Sequence, residues 1–255
     1  MIKKSRLPSR LIVAFALGTL ITEVSAAPLV VATEGVYPPF SYVDDSGQLS
    51  GFDTDIARAL CREMERECEL RQVAWSELIP EMEAGRVDFT VASMAKTDER
   101  ARRVDFTDYY YRSHSTFAGD PSRFSDVSPQ ALAGFRLATG RDTIQAEFLQ
   151  NHYPNSEIIL TDDLPQTLEL LKSGKADLAL SDTINLLDFL QQPESIQFDY
   201  IGEPLQAEEL HSKAHIAVRK GEDKLLRDLN EALEDIRLDG SYERINRKYF
   251  PFSIY

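Results

Sequence analysis

Short apolar runs alternate with helical stripes along the first third of the chain. Apolar residues recur at every fourth position from Phe52 to Met64, which predicts an amphipathic helix. A second helix is predicted between a cap at Ser76 and a stop at Gly85. Apolar runs around these helices predict three buried strands, at Leu29–Thr33, Leu70–Ala74 and Val87–Val91. The resulting βαβαβ order is typical of a parallel α/β sheet.

A weak internal repeat indicates a second unit of the same kind. Residues 78–93 and 167–182 align without gaps. Each copy has a helical pattern, a glycine, a basic residue, an aspartate two positions later, and an apolar strand. A further strand at Phe135–Thr139 and a helix from about Thr143 precede the second copy. We therefore predict two similar α/β lobes.

The tail of the chain is predicted to return to the first lobe. It contains a strand at His215–Arg219 and a helix that begins near Glu222. Two crossings between the lobes would form a hinge. The expected division is lobe 1 at residues 27–111 and 214–255, lobe 2 at 116–205, and crossings at 112–115 and 206–213.

The N-terminus has the pattern of a secretory signal peptide. Basic residues precede an apolar run at 11–21, and Val24-Ser25-Ala26 forms a small-residue cleavage site. Cleavage after Ala26 is expected, because cutting one residue later would leave Pro28 next to the bond. A buried or anchoring helix is the less favoured alternative, since the basic, apolar and small segments follow in the complete order.

Composition narrows the classes of partner. Removal of residues 1–26 takes away four basic residues and Glu23, which changes the formal charge from −14 to −17 and leaves 229 residues. Such an acidic chain is poorly suited to nucleic acid or anionic lipid. His211 and His215 are four apart but lack a third ligand, so they are interpreted as surface residues. No metal and no cofactor are expected.

The two cysteines, Cys61 and Cys68, are close in sequence. In an exported protein such a pair is expected to form a disulfide. Two buried free thiols are the alternative, which is less compatible with an oxidising compartment.

Candidate chemistry lies where the predicted strands end. Ligands of open α/β sheets bind beyond the carboxyl ends of the strands. Four such segments are predicted, at residues 34–40, 92–100, 139–143 and 181–183. If the lobes face each other, all four meet in one cleft.

Arg100 breaks a local rule. Thr97 is a good helix cap, but a cation in the following turn opposes the helix dipole. Residues that break such rules are often functional. Arg100 beside free N–H groups would suit a carboxylate. A salt bridge to Asp98, Glu99 or Asp105 is an equally weighted alternative.

Asp182 ends an apolar strand and would suit an ammonium group, a helix cap, or both. Thr143 could offer its N–H group at the start of the lobe 2 helix. Together with Arg100, these residues predict a clamp for a zwitterion.

Three further residues have both a binding and an ordinary interpretation. Two prolines hold the loop of Tyr37, which could contact a ligand or simply pack. Trp75 could cover an aliphatic or cationic part of a ligand, or lie half-buried in the core. Glu34 could pair with a cation or be solvated.

The combined motifs resemble a known family. They are YPPFSY (37–42), GFDTDIARALC (51–61), LIPEMEAGRVDFTVASMAKTDER (78–100), ADLALSD (176–182) and DGSYERINRKYF (239–250). These resemble the periplasmic solute-binding proteins of amino-acid ABC transporters, family 3, especially the lysine/arginine/ornithine- and histidine-binding branch. The resemblance covers nearly the whole mature chain.

This resemblance implies a fold, a location and a set of contacts. The fold would be the two-lobed type II periplasmic binding protein, in the α/β class. The protein would be a periplasmic monomer that closes on a small amino acid and delivers it to an inner-membrane ABC permease. The implied contacts are Arg100 with the α-carboxylate, helped by N–H groups near Ala95 and Thr143; Asp182 with the α-ammonium; Tyr37 and Trp75 with the side chain; and Glu34 with a distal positive charge.

The chain also departs from the family pattern. Glu34 stands where aspartate is common, and Ser93 is the one hydroxyl in a stretch, 92–95, that is often serine-rich. The lobe 2 loop GRDTIQAEF is longer than the usual form, which shifts the match at Asp142 and Thr143.

Two other functions use the same scaffold. In cyclohexadienyl dehydratases a glutamate follows the strand-end aspartate by three residues, whereas this chain has Asn185, which is no general acid. Catalysis is therefore not expected. A sensory role, in which a receptor reads the closed form, would use the same binding chemistry.

Overall fold

The computed structural model describes residues 27–211 and 213–255, so the expected signal peptide (residues 1–26) lies outside the described residues. The strands are β1 (Leu29–Thr33), β2 (Val36–Tyr37), β3 (Ser41–Val43), β4 (Leu49–Ser50), β5 (Cys68–Gln72), β6 (Phe89–Ala95), β7 (Val104–Arg112), β8 (Ser115–Gly119), β9 (Arg136–Gly140), β10 (Glu157–Thr161), β11 (Leu178–Asp182), β12 (Asp199–Ile201) and β13 (Lys213–Arg219).

The helices alternate with these strands. They are α1 (Phe52–Glu63), α2 (Leu78–Glu83), α3 (Asp98–Arg103), α4 (Ile144–His152), α5 (Leu164–Lys172), α6 (Thr183–Leu190), α7 (Asp223–Leu238) and α8 (Ser241–Tyr249). Short 3-10 turns occur at Trp75–Glu77, Pro193–Ser195 and Glu208–Leu210. None of the helices in the described part of the chain is long and apolar enough to span a bilayer.

The first lobe is built on a five-stranded sheet with the order β5-β1-β6-β13-β7. β1 runs parallel to both neighbours, whereas β13 is antiparallel to β6 and β7. β1 is almost entirely buried because α1, α7 and α8 cover one face of the sheet and α2 covers the other. Helices on both faces explain why the strand is a continuous apolar run.

The second lobe repeats this plan with the order β10-β9-β11-β8-β12. β9 is parallel to β10 and β11, and β8 is antiparallel to β11 and β12. α4 packs on one face, and α5 and α6 pack on the other. The predicted two-lobed α/β class is thus confirmed, while the exact lobe boundaries stay a prediction.

The internal repeat has a structural cause in two aspartates. Asp88 accepts a hydrogen bond from Val30 N through Oδ2 (2.8 Å) and donates its own N–H to Val30 O (2.9 Å). Asp177 makes the same pair of bonds with Arg136, at 3.0 and 2.8 Å. In each lobe this aspartate joins the turn after a helix to a neighbouring strand.

Most predicted elements form with small shifts, but one predicted cap is wrong. The strand predicted at Leu70–Ala74 begins two residues earlier, and that predicted at Val87–Val91 begins two residues later and runs to Ala95. Ser76 lies within the 3-10 turn, so α2 begins only at Leu78 and has no side-chain cap. Gly85 follows the helix with φ of 70°, as a helix stop requires.

The predicted disulfide between Cys61 and Cys68 is confirmed. It joins the last turn of α1 to the first residue of β5. The two cysteines are seven positions apart, so the bond closes a short loop.

Replacing both cysteines (Cys61→Ser with Cys68→Ser) is expected to lower the free energy of unfolding by about 2.5 kcal/mol, because the unfolded chain regains the entropy of the short loop. This corresponds to a fall in Tm of about 5–10 °C for a chain of this size. Calorimetry of the double variant, and of the wild type with and without reductant, measures the effect. An unchanged Tm for verified reduced protein would contradict the prediction.

Candidate functional site

A cleft between the lobes contains the candidate site. It holds about 870 Å³ of space, part of which is open to solvent. All eight residues that the sequence predicts for the site border this cleft: Glu34, Tyr37, Trp75, Ser93, Ala95 and Arg100 from lobe 1, and Thr143 and Asp182 from lobe 2. The ends of β1, β6, β9 and β11 supply most of them, as strand-end reasoning predicts.

Arg100 is buried at the base of the cleft. Thr97 caps α3 by accepting the N–H of Arg100 through its hydroxyl (3.2 Å), which fixes the start of the helix. The guanidinium donates to two main-chain carbonyls, Ala95 O (2.8 Å) and Asp142 O (2.9 Å). The residue is 7% exposed, and burial lowers its pKa to about 10, so it stays cationic at neutral pH.

The alternative of a local salt bridge for Arg100 is not realised. Within residues 27–211 and 213–255, no carboxylate lies within 4.0 Å of the guanidinium. Glu99 instead approaches Arg103, and Asp105 binds Lys220. Because a buried charge is costly without an opposite charge, this guanidinium is suited to an anion that enters the cleft.

Asp182 serves as the helix cap that the sequence allowed and also faces the cleft. Its Oδ1 accepts a hydrogen bond from Ile184 N (2.9 Å), which caps the first turn of α6, and another from the Ser113 hydroxyl (2.7 Å). Burial raises the pKa of its carboxyl to about 6, and these hydrogen bonds partly oppose the rise. The carboxylate is therefore held in place with capacity left for another donor.

Thr143 caps α4 in the same way. Its hydroxyl accepts Ala146 N (3.1 Å) and donates to Gly140 O (2.7 Å), so its one proton is already used within the loop. What it can offer a ligand is its main-chain N–H at the start of the helix, where the helix dipole favours negative charge.

Glu34 is an acid of the cleft whose carboxyl group has no bonded partner in the described part of the chain. It is 8% exposed, and no donor in the described part of the chain forms a hydrogen bond or an ion pair with its carboxyl group. Burial raises its pKa to about 7, and the nearby carboxyls of Asp163 and Asp53 add to the rise. The alternative that Glu34 is simply solvated is excluded by this burial.

Two aromatic side chains stand near these charges. Tyr37 stacks against Phe40, with ring centroids 6.1 Å apart. The Trp75 ring lies 5.1 Å from Arg100 Cζ, and its Nε1 donates to Asp142 O (3.2 Å). Both rings are half-buried and border the cleft, so each retains a surface that a ligand side chain can contact.

Sequence reasoning missed a buried network behind Ser93. The Ser93 hydroxyl donates to Asp53 Oδ2 (2.8 Å), and Tyr110 OH donates to Asp53 Oδ1 (2.6 Å) while accepting Ser93 N (2.9 Å). Asp53 is 1% exposed, and burial raises its pKa to about 7. The network holds Ser93 at φ of 54°, an unusual value for a residue that is not glycine.

A sequence signal for Asp53 existed but is faint. Asp53 follows Phe52 at the start of α1, and acids in a first helical turn are ordinary because they favour the dipole. Only its position on the buried side of the helix distinguishes it.

Among the residues that the structure describes, three hydrogen bonds join the lobes across the cleft. Arg100 and Trp75 both donate to Asp142 O, and Asn185 Nδ2 donates to Pro38 O (2.6 Å). Asp142 has φ of 58° and lies in the lobe 2 loop between β9 and α4. This loop brings a main-chain carbonyl to the guanidinium.

Comparison with known proteins assigns the family. The family model for bacterial extracellular solute-binding proteins, family 3, matches residues 29–252. The chain belongs to this family.

Individual relatives of this family 3 protein agree with that assignment. It is 33% identical over 253 residues to the L-arginine-binding protein of Pseudomonas aeruginosa, covering 95% of this chain and 96% of the relative. It is 29% identical over 259 residues to the histidine-binding periplasmic protein of Escherichia coli K12, covering 99% of both. A solved structure of an ancestral arginine-binding protein bound to arginine is 28% identical with a TM-score of 0.82, covering 89% of this chain and 99% of that one.

The substitution Glu34→Gln is expected to stabilise the ligand-free protein at pH 8 but much less at pH 5. Glu34 has a pKa of about 7 in the folded protein against a usual value of 4.5, so its ionisation opposes folding increasingly as the pH rises from 4.5 to 7. Glutamine removes that cost, which is at most about 3 kcal/mol above pH 7.

Urea unfolding of both proteins at pH 5 and pH 8 measures this difference. The exposed Glu99→Gln serves as the control and should change neither value. A gain for Glu34→Gln that is the same at both pH values would show that Glu34 does not titrate as described.

Proposed function

We propose that this protein captures a free cationic amino acid in its cleft and delivers it to an ABC permease of the inner membrane. The observation that carries the proposal is the buried, cationic Arg100, which has no carboxylate partner among residues 27–211 and 213–255, on the opposite lobe from Asp182. Separate sites for one anion and one cation suit the head group of an α-amino acid.

In the proposed complex each end of the ligand has its own partner. The α-carboxylate binds Arg100 and N–H groups near Ala95 and at Thr143. It accepts the hydrogen bond that Arg100 Nη2 donates to Asp142 O in the structure. The α-ammonium binds Asp182 and the acceptor lone pairs of Ser93. Charge-assisted hydrogen bonds of this kind are among the stronger polar contacts in proteins.

The side chain of the ligand extends between Tyr37 and Trp75 towards Glu34. Glu34 is buried, and its pKa is raised to about 7. A cation beside it therefore offsets a carboxylate charge that is otherwise unfavourable in the closed cleft. This favours arginine, lysine, ornithine or histidine over neutral amino acids. Relatives named for arginine and histidine binding support the same ligand class.

Binding is coupled to a hinged closure of the lobes. We take residues 112–115 and 206–213 as the two crossings about which lobes 27–111 with 214–255 and 116–205 rotate. Ligand contacts are divided between the lobes, so only the closed form makes all of them, and the ligand shifts the population towards it. The permease then recognises the closed monomer in the periplasm, which the protein reaches after signal-peptide cleavage.

No catalytic step belongs to this proposal. Asn185 is 1% exposed and donates to Pro38 O, so it acts as a contact between the lobes. Its amide cannot supply a proton as a general acid would.

Replacing Arg100 with alanine is expected to abolish amino-acid binding and leave the fold intact, because the buried charge that selects the carboxylate is lost. Calorimetric titration with a panel of cationic and neutral amino acids measures this, and circular dichroism reports the fold. Arg103→Ala on the same helix is the matched control, since that side chain pairs with Glu83 at the surface. Affinity that is unchanged in Arg100→Ala would contradict the carboxylate role.

The purified protein is expected to leave prephenate and arogenate unchanged, because Asn185 replaces the acid that such a reaction needs. Chromatography of long incubations at several pH values detects product if any forms. Turnover that disappears in Asp182→Asn would establish an enzyme in place of a binding protein.

A further inference from the structure

A second acid borders the cleft at its Glu34 end and comes from the opposite lobe. Asp163 follows β10 and caps α5, where its Oδ1 accepts Gln166 N (2.9 Å). It is half-buried and, like Glu34, lines the cleft. Sequence analysis did not single it out, because an aspartate before a helix has an ordinary explanation as a cap.

The two acids are brought together by the contact between the lobes. Glu34 immediately follows β1 in lobe 1, and helix α5 of lobe 2 packs against β2, which begins two residues after Glu34. After burial, the charge of Asp163 is the largest cause of the raised pKa of Glu34, followed by that of Asp53. The two carboxyls are therefore close enough to influence each other.

The described part of the chain provides no cation to neutralise this pair. As a residue Glu34 is 8% exposed, and its carboxyl has no hydrogen-bond partner there. In the described part of the chain, the hydrogen bonds of the Asp163 carboxyl come from the main chain and side chain of Gln166. Two like charges on opposite lobes oppose closure, whereas a cation between them favours it.

We propose that Asp163 is a specificity-determining residue, which together with Glu34 forms one subsite for the distal cation of the ligand, with one carboxylate from each lobe. The inference rests on the proposed function and extends it to the side-chain end of the ligand. A cation in this subsite links the lobes directly, so the distal charge promotes closure as well as affinity.

This geometry favours a guanidinium over an ammonium. A guanidinium carries five N–H donors in a planar fork, so two of its edges can face two carboxylates at once. An ammonium is a compact point charge on a flexible stem. We therefore expect arginine to bind more tightly than lysine, and both to bind more tightly than citrulline, which has nearly the shape of arginine but no charge.

The test is calorimetric titration of the wild type and Asp163→Asn with L-arginine, L-lysine and L-citrulline. Asparagine is as good a helix cap as aspartate, so α5 is preserved, and the Tm verifies this. The expected result is a loss of arginine affinity of about 10- to 100-fold, the usual effect of one charged hydrogen-bond partner. Lysine should lose less, and citrulline should change by less than about twofold, because it has no charge to lose a partner.

Asp162→Asn is the matched control. It makes the same charge change one residue away, on a side chain that also borders the cleft but is 66% exposed and already paired with Arg141. Its arginine affinity should stay within about threefold of the wild type, because exposed ion pairs contribute little.

Each other outcome overturns a distinct statement. If the wild type binds none of the three ligands and no other amino acid, the proposed function fails. If it binds arginine and citrulline equally, the distal cation subsite is wrong. If the wild type prefers arginine but Asp163→Asn is unchanged, or if Asp162→Asn loses as much, then Asp163 does not determine the preference.

Discussion

The buried guanidinium of Arg100 is the constraint on which the cleft depends. A charge on a residue that is 7% exposed is costly in a protein interior, and here it donates hydrogen bonds to the carbonyls of Ala95 and Asp142 and lies over the Trp75 ring. Carbonyl dipoles keep the side chain ordered but leave its positive charge uncompensated. The arrangement is stable enough to fold and still gains from an entering carboxylate. The bond to Asp142 O also joins the lobes, so the guanidinium takes part both in the cleft and in the contact between the lobes.

Burial shifts the pKa of the acids in the cleft in the direction opposite to that of Arg100. Burial raises the pKa of Glu34 and Asp53 to about 7 and that of Asp182 to about 6. Their roles differ because their hydrogen bonds differ. Asp53 is satisfied by Ser93 and Tyr110, whereas Asp182 keeps free capacity and Glu34 has no partner in the described part of the chain. In the proposed complex, a ligand with separated charges of both signs would therefore compensate the buried charges at both ends of the cleft.

Local rules predicted much of the fold and eight candidate residues that border the cleft, but they did not distinguish Asp53 or Asp163. Apolar periodicity located β1, α1 and the strands of both lobes. The starts of β5 and β6 differ from the prediction by two residues, because β5 begins at the disulfide-bonded Cys68 and β6 begins after Asp88. Ser76 was misassigned because a 3-10 turn separates it from α2, and such a turn has no strong pattern of its own. The repeat was recognised as a pattern, while its cause, a pair of hydrogen bonds from each aspartate to another strand, needed the coordinates.

Residues close together in the chain were enough to predict the α/β class, the disulfide, the strand-end segments and the unusual place of Arg100 in its helix. These features depend on residues within one or two turns of each other, and steric and hydrogen-bonding rules act at that range. Three contacts could be seen only after the chain had folded: Asp53 with Ser93, Asp142 O with Arg100, and Asp163 facing the lobe of Glu34. Those pairs are 40, 42 and 129 positions apart, so their contact depends on the packing of whole elements and lobes.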